Sequence, residues 1–389
     1  ASTLDGFGLK NRHLATRAAG AILQYIKETE PNALSQLNNL HVYSLSEFMT
    51  LDAATRRNLE LTETLRGKID GSLLGTLDQS TSPMGKRIIR QWVSQPLLDI
   101  AQINQRLDGV DHFFTNGMAR AELRSALKPL ADLERLTNRI VSGYAMPRDL
   151  VSLRATLEEI PKIQNLFLDE VPALARALSL LSPCEQELGL LHSAIPPEPP
   201  ATLQNIGVFR EGYAEELDNI LDSTRHAREW IANLESIEKE RTGIKTLKVG
   251  YNKVYGYYIS LTKAVVDMAP EHYIRKQTLV NAERYITPEL KEYETLVLNA
   301  EERIHDVEAR LFRDVCKKLS QSAPRLLQSA RALAELDAYA ALAESAALGG
   351  YTKPRVTDDS RLHILEGRHP VVEESLHGER FVPNDIIIE

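Results

Sequence analysis

Apolar side chains recur at alternating spacings of three and four residues in two long stretches of the chain, 217–234 and 290–311, with charged residues between them. This heptad spacing predicts two long helices, each with a narrow apolar seam. The seam positions are Leu217, Ile220, Thr224, Ala227, Ile231 and Leu234 in the first stretch, and Leu290, Tyr293, Val297, Ala300, Ile304, Val307 and Leu311 in the second. Two arms of similar length around one insertion favour an antiparallel helical hairpin, although two core helices of a compact bundle would show the same period.

The insertion between the arms changes to a period of two residues. Residues 247–251 and 257–261 alternate between apolar and polar side chains, which predicts a β-hairpin that turns at Asn252 and Lys253. A third run, residues 278–286, alternates less cleanly and predicts another strand. It stops at Thr287 and Pro288, an N-cap followed by proline in the first turn, so a helix begins there.

Helical periodicity dominates the remainder, so the predicted fold class is mainly α, a helical core with long coiled-coil arms and a small β-rich insertion. Ser82 and Pro83 mark a helix start, and the four-residue spacing after them predicts a buried Trp92. The C-terminal part differs, because 362–365 and 381–388 show strand patterns around a short helix or loop at 367–376. We expect the last strand to be a buried, parallel one. The other predicted helices are 11–28, 52–61, 100–114, 120–141, 147–160 and 332–348.

Composition places the chain among globular proteins, since 43% of its 389 residues are hydrophobic and 26% are charged. It shows neither an apolar run of membrane-spanning length nor an N-terminal leader, which favours a cytoplasmic protein without membrane contact. Cys184 and Cys316 are the only cysteines, which excludes a disulfide framework and a cysteine-based metal site. Both thiols are expected in the core.

Charge changes sign in the insertion. Residues 241–289 contain eight basic and four acidic residues, whereas the whole chain has a net charge of −8. The same segment contains six of the 13 tyrosines. Cations with aromatic and amide side chains between them are typical of a polyanion-binding surface, although a solvated lysine face would have a similar composition. The candidate nucleic-acid contacts are Lys248, Asn252, Lys253, Tyr255, Arg275, Lys276, Gln277 and Asn281.

The sequence carries none of the common catalytic signatures. The sequence contains no G-x-x-x-x-G-K-[ST], no G-x-G-x-x-G after a strand, no H-E-x-x-H and no C-x-x-C. The histidines are scattered, and His363 and His369 are better explained as turn residues than as metal ligands. We therefore expect no enzyme activity and no metal site in this chain.

Several segments together resemble the MutS family of DNA mismatch repair proteins, in the right order and over nearly the whole chain. The segment 282–294, AERYITPELKEYE, is the most specific of them. The others are DAATRRNLEL, TSPMGKRIIRQWVSQPLLD, MPRDL, EGYAEELD, LKVGYNKVYGYYI, RKQTLVNAERYITPELKEYE, ALAELDAYAALA, and EGRHPVVE followed by FVPND. One mild departure is Tyr255, where relatives often have histidine.

The resemblance implies a division into five parts. Residues 1–45 would end a connector domain, 46–227 would form the core and descending lever, 228–287 a β-rich DNA clamp, 288–350 the returning lever and core, and 351–389 the truncated start of an ATPase domain. The family's mismatch-reading domain, P-loop and magnesium ligands would lie outside the chain.

By resemblance, the full-length protein would be an ATP-hydrolysing mismatch sensor. It would use ATP and Mg²⁺, bind mismatched double-stranded DNA as a homodimer and act with a MutL-type partner. Phe381 would stack on the adenine of bound nucleotide, beside Val382 and Asn384. Without a P-loop the phosphates have no cradle, so we expect no useful nucleotide affinity in this chain and assign it the lever and clamp function.

Two other functions are compatible with the residues alone. A coiled-coil arm that binds structured RNA would need a similar basic end, but the ATPase-like C-terminal segment argues against it. A purely mechanical spacer would not need the excess of basic residues in 241–289, so this excess argues against a spacer. A competition between duplex DNA and tRNA separates the three functions.

Overall fold

The computed structural model describes residues 12–29, 34, 48–167, 171–252, 256–376 and 380–389. It is mainly helical with two small antiparallel sheets, which confirms the predicted fold class. Two compact units emerge: unit 1 comprises Ala1–Ala145, Asp149–Gly189 and Cys316–Glu389, and unit 2 comprises Met146–Arg148 and Leu190–Val315. The five-part division implied by the resemblance stays a prediction.

The helices are α1 (His13–Thr29), α2 (Ala53–Asn58), α3 (Leu73–Leu77), α4 (Pro83–Ser94), α5 (Ile100–Thr115), α6 (Gly117–Leu127), α7 (Leu133–Val141), α8 (Pro147–Asn165), α9 (Ala175–Leu180), α10 (Glu185–Ala194), α11 (Glu215–Thr242), α12 (Pro288–Gln321), α13 (Ala323–Gly349) and α14 (Pro370–Ser375). The strands are β1 (Lys248–Asn252), β2 (Gly256–Thr262), β3 (Ile274–Thr278), β4 (Ala282–Ile286), β5 (Leu362–Gly367) and β6 (Asn384–Ile388). Short 3₁₀ helices lie at Pro172–Leu174 and Lys263–Met268.

Helix α13 is the centre of unit 1 and contacts α3, α4, α5, α6, α7 and α9. Its many alanines leave room for close packing on all sides, and most of its residues are buried. Tyr339 is its largest buried side chain, and a Cβ atom added at Gly109 of α5 would lie only 2.9 Å from the Tyr339 ring. The helix ends at Gly350, whose φ of 61° gives the left-handed cap that glycine adopts without strain.

A buried carboxylate joins α13 to the start of α4. Asp337 is fully buried and accepts hydrogen bonds from the backbone N–H groups of Thr81 (3.1 Å) and Ser82 (2.7 Å). Both hydroxyls also donate to it, at 3.0 and 2.6 Å. Ser82 in turn caps α4 by accepting from Gly85 N–H. Because a Cβ atom at Gly85 would overlap with the Asp337 carboxylate, glycine is required there.

Three predictions for unit 1 need correction. The single helix predicted over 120–141 is two helices, α6 and α7, because Pro129 cannot continue a helix and Asp132 caps the second one. Helix α8 runs on to Asn165 with Pro161 inside it, whereas the pattern predicts its end at 160. Trp92 is half-buried rather than buried, since it lines a cavity described below.

The predicted seam of α11 is confirmed, and that of α12 is confirmed in part, since Tyr293, Val297 and Leu311 are half-buried. All six seam residues of α11 are buried, and Leu290, Ala300, Ile304 and Val307 are buried in α12. Contacts between the helices run in opposite chain directions, because Glu216 of α11 pairs with Arg310 and Trp230 stacks on Tyr293 with ring centroids 4.2 Å apart. The two arms are therefore antiparallel, as predicted.

The segment between the arms forms a four-stranded antiparallel sheet with the strand order β1-β2-β4-β3. The predicted hairpin is present, with Val249 opposite Ile259 and Tyr251 opposite Tyr257, but Asn252, which was predicted in the turn, is the last residue of β1 and lies opposite Gly256. The third run is not one strand, because residues 279–281 connect two strands, of which β3 was not predicted. Strand β3 lies at the edge of the sheet and has a bulge at Lys276.

The C-terminal strands differ from the prediction in two ways. Strand β6 begins at Asn384, so Phe381 and Val382 precede it. It pairs antiparallel with β5, and Ile386, Ile387 and Ile388 are exposed rather than buried. The apolar run alone could not distinguish a parallel from an antiparallel partner, since both satisfy the same backbone groups. The segment 367–376, for which the pattern allows a short helix or a loop, contains helix α14, capped by His369.

Candidate nucleic-acid interface

The four-stranded sheet of unit 2 has one face packed on the ends of α11 and α12. Ile259, Leu261 and Tyr285 of this inner face are buried against Ile231 and Leu234 of α11 and Leu290 of α12, in one apolar cluster. Alternation along each strand places the remaining side chains on the opposite, outer face. The packing of the inner face therefore determines which side chains the outer face presents.

Carboxylates from both helices bind the backbone of the β1–β2 hairpin. Glu235 of α11 accepts a hydrogen bond from Val249 N–H at 3.0 Å, and Glu294 of α12 accepts from Tyr257 N–H at 2.9 Å. Glu294 is buried, and a Cβ atom at Gly256 would overlap with its carboxylate. Gly256 also has a φ of 78°, so the close approach and the backbone conformation both require glycine.

Two buried tyrosines complete the inner face. The hydroxyl of Tyr273 donates to Glu238 at 2.6 Å, and that of Tyr285 donates to Glu283 at 2.6 Å. Burial and the neighbouring carboxylate raise the pKa of Tyr273, and for the same reasons the pKa of Tyr285 rises to about 12. Both hydroxyls stay protonated donors at neutral pH, so Tyr273 ties the segment before β3 to Glu238 of α11, while the Tyr285–Glu283 bond lies within β4.

One row of side chains crosses the outer face from edge to edge. The register places Lys248 of β1 opposite Ser260 of β2, Ser260 opposite Arg284 of β4, and Arg284 opposite Gln277 of β3. Directly opposed residues share a face, so these four polar side chains lie together. With strands about 4.8 Å apart, the row spans roughly 14 Å. It is called the outer row below.

Arg284 is oriented by its neighbours in this row. Its guanidinium lies over the ring of Tyr258, 4.2 Å from the centroid, and donates to the side-chain oxygen of Gln277 at 2.9 Å. The Tyr258 ring in turn lies over Gly250, where an added Cβ atom would come within 2.8 Å of its hydroxyl. Stacking and hydrogen bonding leave the guanidinium with further donors in a fixed plane.

The other candidate cations occupy the edge strand β3. Lys276 is the extra residue of the bulge, is exposed, and makes no ion pair with any acid in the described part of the chain. Arg275 lies opposite the inward-facing Tyr285 and forms an ion pair with Glu283 at 3.6 Å. Arg275 therefore belongs to the other face of the edge and is partly neutralised, although 64% of its side chain is exposed.

The amide candidates are less tightly grouped. Gln277 belongs to the outer row, and Asn252 is half-buried at the end of β1. Asn281 is exposed between β3 and β4, where its carbonyl accepts from Lys263 N–H at 3.2 Å. Lys253 and Tyr255 lie outside the described residues. The sequence pattern did not predict Arg284 as a site residue, although it is one of the basic residues of the segment. Its contacts with Gln277 and Tyr258 in the structure identify it as a candidate.

The residues proposed by resemblance for adenine lie just before β6. Phe381 is half-buried, Val382 is exposed, and the Asn384 amide donates to the Val382 carbonyl at 3.2 Å. Within the residues that the structure describes, no group of three or more His, Cys, Asp or Glu side chains could bind a metal ion. Among the described helices, none has the length and apolar character needed to cross a membrane.

The structure thus defines a mainly helical domain with a small β-sheet inserted between two long antiparallel helices, and comparison with known proteins gives this architecture a family. The family model described as MutS domain III matches residues 54–343. The DNA mismatch repair protein MutS of Alkaliphilus oremlandii is 45% identical over 388 residues, which is 99% of this chain and 44% of that protein. The MutS proteins of Pelotomaculum thermopropionicum and Dehalococcoides mccartyi strain 195 are each 44% identical, over 97% and 98% of this chain and 44% and 45% of theirs.

The chain belongs to the MutS family of DNA mismatch repair proteins. It spans less than half of the length of these curated relatives, so their full activity is not transferred with the family.

Proposed function

We propose that the outer face of the four-stranded sheet is a DNA clamp that binds the phosphate backbone of duplex DNA. The outer row carries this proposal, because it aligns Lys248, Arg284 and Gln277 on one face while the other face is packed on the helices. Lys276 adds a cation at the neighbouring edge. The carboxylates that bind the hairpin backbone, Glu235 and Glu294, lie on the helices on the inner side, so they do not repel an anion on the outer face.

The side chains suit phosphate rather than bases. Lys248 and Lys276 offer flexible ammonium groups, and the Arg284 guanidinium offers a planar fork that matches a phosphate. Gln277, Asn252 and Asn281 add amide donors around them. Contacts of this kind position a protein on DNA without reading its sequence, so binding should be non-specific. The roughly 10 Å between Lys248 and Arg284 is comparable to the major-groove width of about 12 Å, so the pair could reach phosphates on both sides of that groove.

The whole protein would couple this clamp to ATP hydrolysis. In this proposal, residues 1–45 end a connector domain, 46–227 and 288–350 form the core with its levers, 228–287 the clamp, and 351–389 the start of an ATPase domain. ATP and Mg²⁺ would act at a P-loop outside this chain, with Phe381, Val382 and Asn384 beside the adenine. The relatives' names support mismatch repair as the process; a homodimer on mismatched DNA with a MutL-type partner is the assembly we propose.

Salt dependence of duplex binding tests the clamp. Each neutralised phosphate contributes about 0.9 to the slope of log affinity against log salt, so Lys248→Ala with Lys276→Ala should lower the slope by roughly two and weaken all duplex sequences alike. The matched control, Lys86→Ala with Arg66→Ala, changes two exposed cations of unit 1 and should leave the slope unchanged. An unchanged slope in the clamp variant with a lower slope in the control would place the DNA elsewhere.

A competition between duplex DNA and tRNA tests the alternatives. The family favours DNA, so duplex DNA should displace tRNA at equal phosphate concentration. Preferential retention of tRNA would support an RNA-binding arm, and binding of neither would support a mechanical spacer.

A further inference from the structure

Unit 1 contains a cavity of about 650 Å³ between α4, α5, α7, α9 and α13. Trp92 and Tyr339 contribute aromatic rings to its wall, with centroids 5.6 Å apart. Its volume lies within the range of roughly 300–1,000 Å³ typical of small-molecule sites. The cavity lies in unit 1, whereas the proposed clamp lies in unit 2, so the two proposals are independent.

Three arginines whose side chains form no hydrogen bond or ion pair within the described part of the chain line this cavity. Arg106, Arg176 and Arg331 all face it, and none of the three guanidinium groups has a hydrogen bond or ion pair with another described residue. Arg106 lies over the ring of Trp92, 4.1 Å from its centroid. Burial lowers the pKa of Arg106, the nearby Tyr339 and Glu335 partly offset this, and Arg176 lowers it again. Arg106 is half-buried, whereas Arg176 and Arg331 are exposed at the mouth of the cavity, so an anion that enters it would meet cations at both depths.

The acids of the cavity are already engaged. Glu134 pairs with Arg87 at 2.7 Å, and Glu335 accepts from the Tyr339 hydroxyl at 2.6 Å. Of the four arginines in the wall, Arg87 is paired with Glu134, which leaves Arg106, Arg176 and Arg331 beside the single carboxylate of Glu335. The neutral lining is rich in glutamine, with four such side chains that can donate or accept hydrogen bonds.

We propose that this cavity is a binding site for a small phosphorylated molecule. Guanidinium groups bind phosphate oxygens in pairs through their planar forks, and three unpartnered arginines match a group with several phosphate oxygens better than a single carboxylate. Arg106 is already oriented by Trp92, so part of the entropic cost of binding is met before the ligand arrives. The glutamines would bind the polar, uncharged part of the ligand.

Trp92 is also the reporter for the test. The chain has two tryptophans, Trp92 and Trp230, so a Trp230→Phe variant leaves only the one in the cavity. Pyrophosphate, ATP and adenosine are titrated into this variant of the whole chain while tryptophan emission is recorded. We expect a saturable change with pyrophosphate and ATP and none with adenosine. Tighter binding of ATP than of pyrophosphate would mark a nucleotide as the ligand class; equal binding would mark the phosphate group alone.

Charge-neutral variants locate the site. Arg106→Gln with Arg176→Gln should weaken pyrophosphate binding at least tenfold, whereas Arg57→Gln with Arg66→Gln, two exposed arginines elsewhere in unit 1, should not change it. Because Arg106 packs on Trp92, the exposed Arg331→Gln is a second variant that should weaken binding even if the first one misfolds. No saturable response to pyrophosphate, or equal losses in the control pair, would overturn the proposal.

Discussion

Replacing Asp337 with alanine should strongly destabilise unit 1. The substitution leaves the backbone N–H groups of Thr81 and Ser82 buried without an acceptor, because these now donate to the Asp337 carboxylate at 3.1 and 2.7 Å. An unsatisfied buried donor costs about 1–3 kcal/mol, so the two together should lower the free energy of unfolding by about 2–6 kcal/mol. The two hydroxyls add less, since each can rotate towards another acceptor.

Urea unfolding followed through Trp92 measures this effect. Trp92 packs on Tyr339, which lies on the same helix as Asp337, so in a Trp230→Phe background its emission reports on unit 1. Asp337→Asn keeps one oxygen acceptor and should lose about half as much free energy of unfolding. The matched control is Asp70→Ala, an exposed aspartate, which should change it by less than about 0.5 kcal/mol. If Asp337→Ala changes the free energy of unfolding no more than Asp70→Ala does, the proposed role of the carboxylate is wrong.

Three further predictions concern other buried contacts. Gly256→Ala should destabilise the β1–β2 hairpin more than Gly243→Ala does, because both glycines have a positive φ but only a Cβ atom at Gly256 would meet a side chain, that of Glu294. Hydrogen exchange of the strand amides measures this effect, and equal effects of the two substitutions would contradict the prediction. Cys316, whose pKa burial raises to about 12, should react with a thiol reagent at pH 8 only after unfolding, and fast labelling of the native chain would disprove its burial. Burial raises the pKa of Glu308 above its unfolded value near 4.5, so the folded state binds the proton more tightly than the unfolded state. The stability of the wild-type chain should therefore fall as the pH rises from 4.5 through the folded-state pKa. Glu308→Gln should lose this pH dependence, which denaturant midpoints from pH 4 to 7 measure. If the stability of the wild type and of Glu308→Gln changes with pH in the same way, another group titrates.

The elements that the sequence predicted well are those in which one face is uniformly buried. The seam of α11 and the pairing of β1 with β2 followed from periodicity, because burial on one side imposes a regular spacing. Strand β3 escaped prediction because it is an edge strand of exposed residues with a bulge at Lys276, which interrupts the alternation. Arg284 escaped as a site residue because its role depends on Tyr258 and Gln277, which lie on other strands. Pairing across strands is not visible in a local pattern.

The anchoring of the β1–β2 hairpin has a mechanical consequence. One strand is bound through Val249 to Glu235 of α11, and the adjacent strand is bound through Tyr257 to Glu294 of α12. A force that separated the two helices would therefore be transmitted across the hairpin ladder, from one strand to the other. Each side-chain anchor is a single hydrogen bond, whereas the ladder between the strands consists of several acting together. Under tension these anchors should break before the ladder does, so the hairpin could lose its polar contact with one helix and remain paired on the apolar cluster.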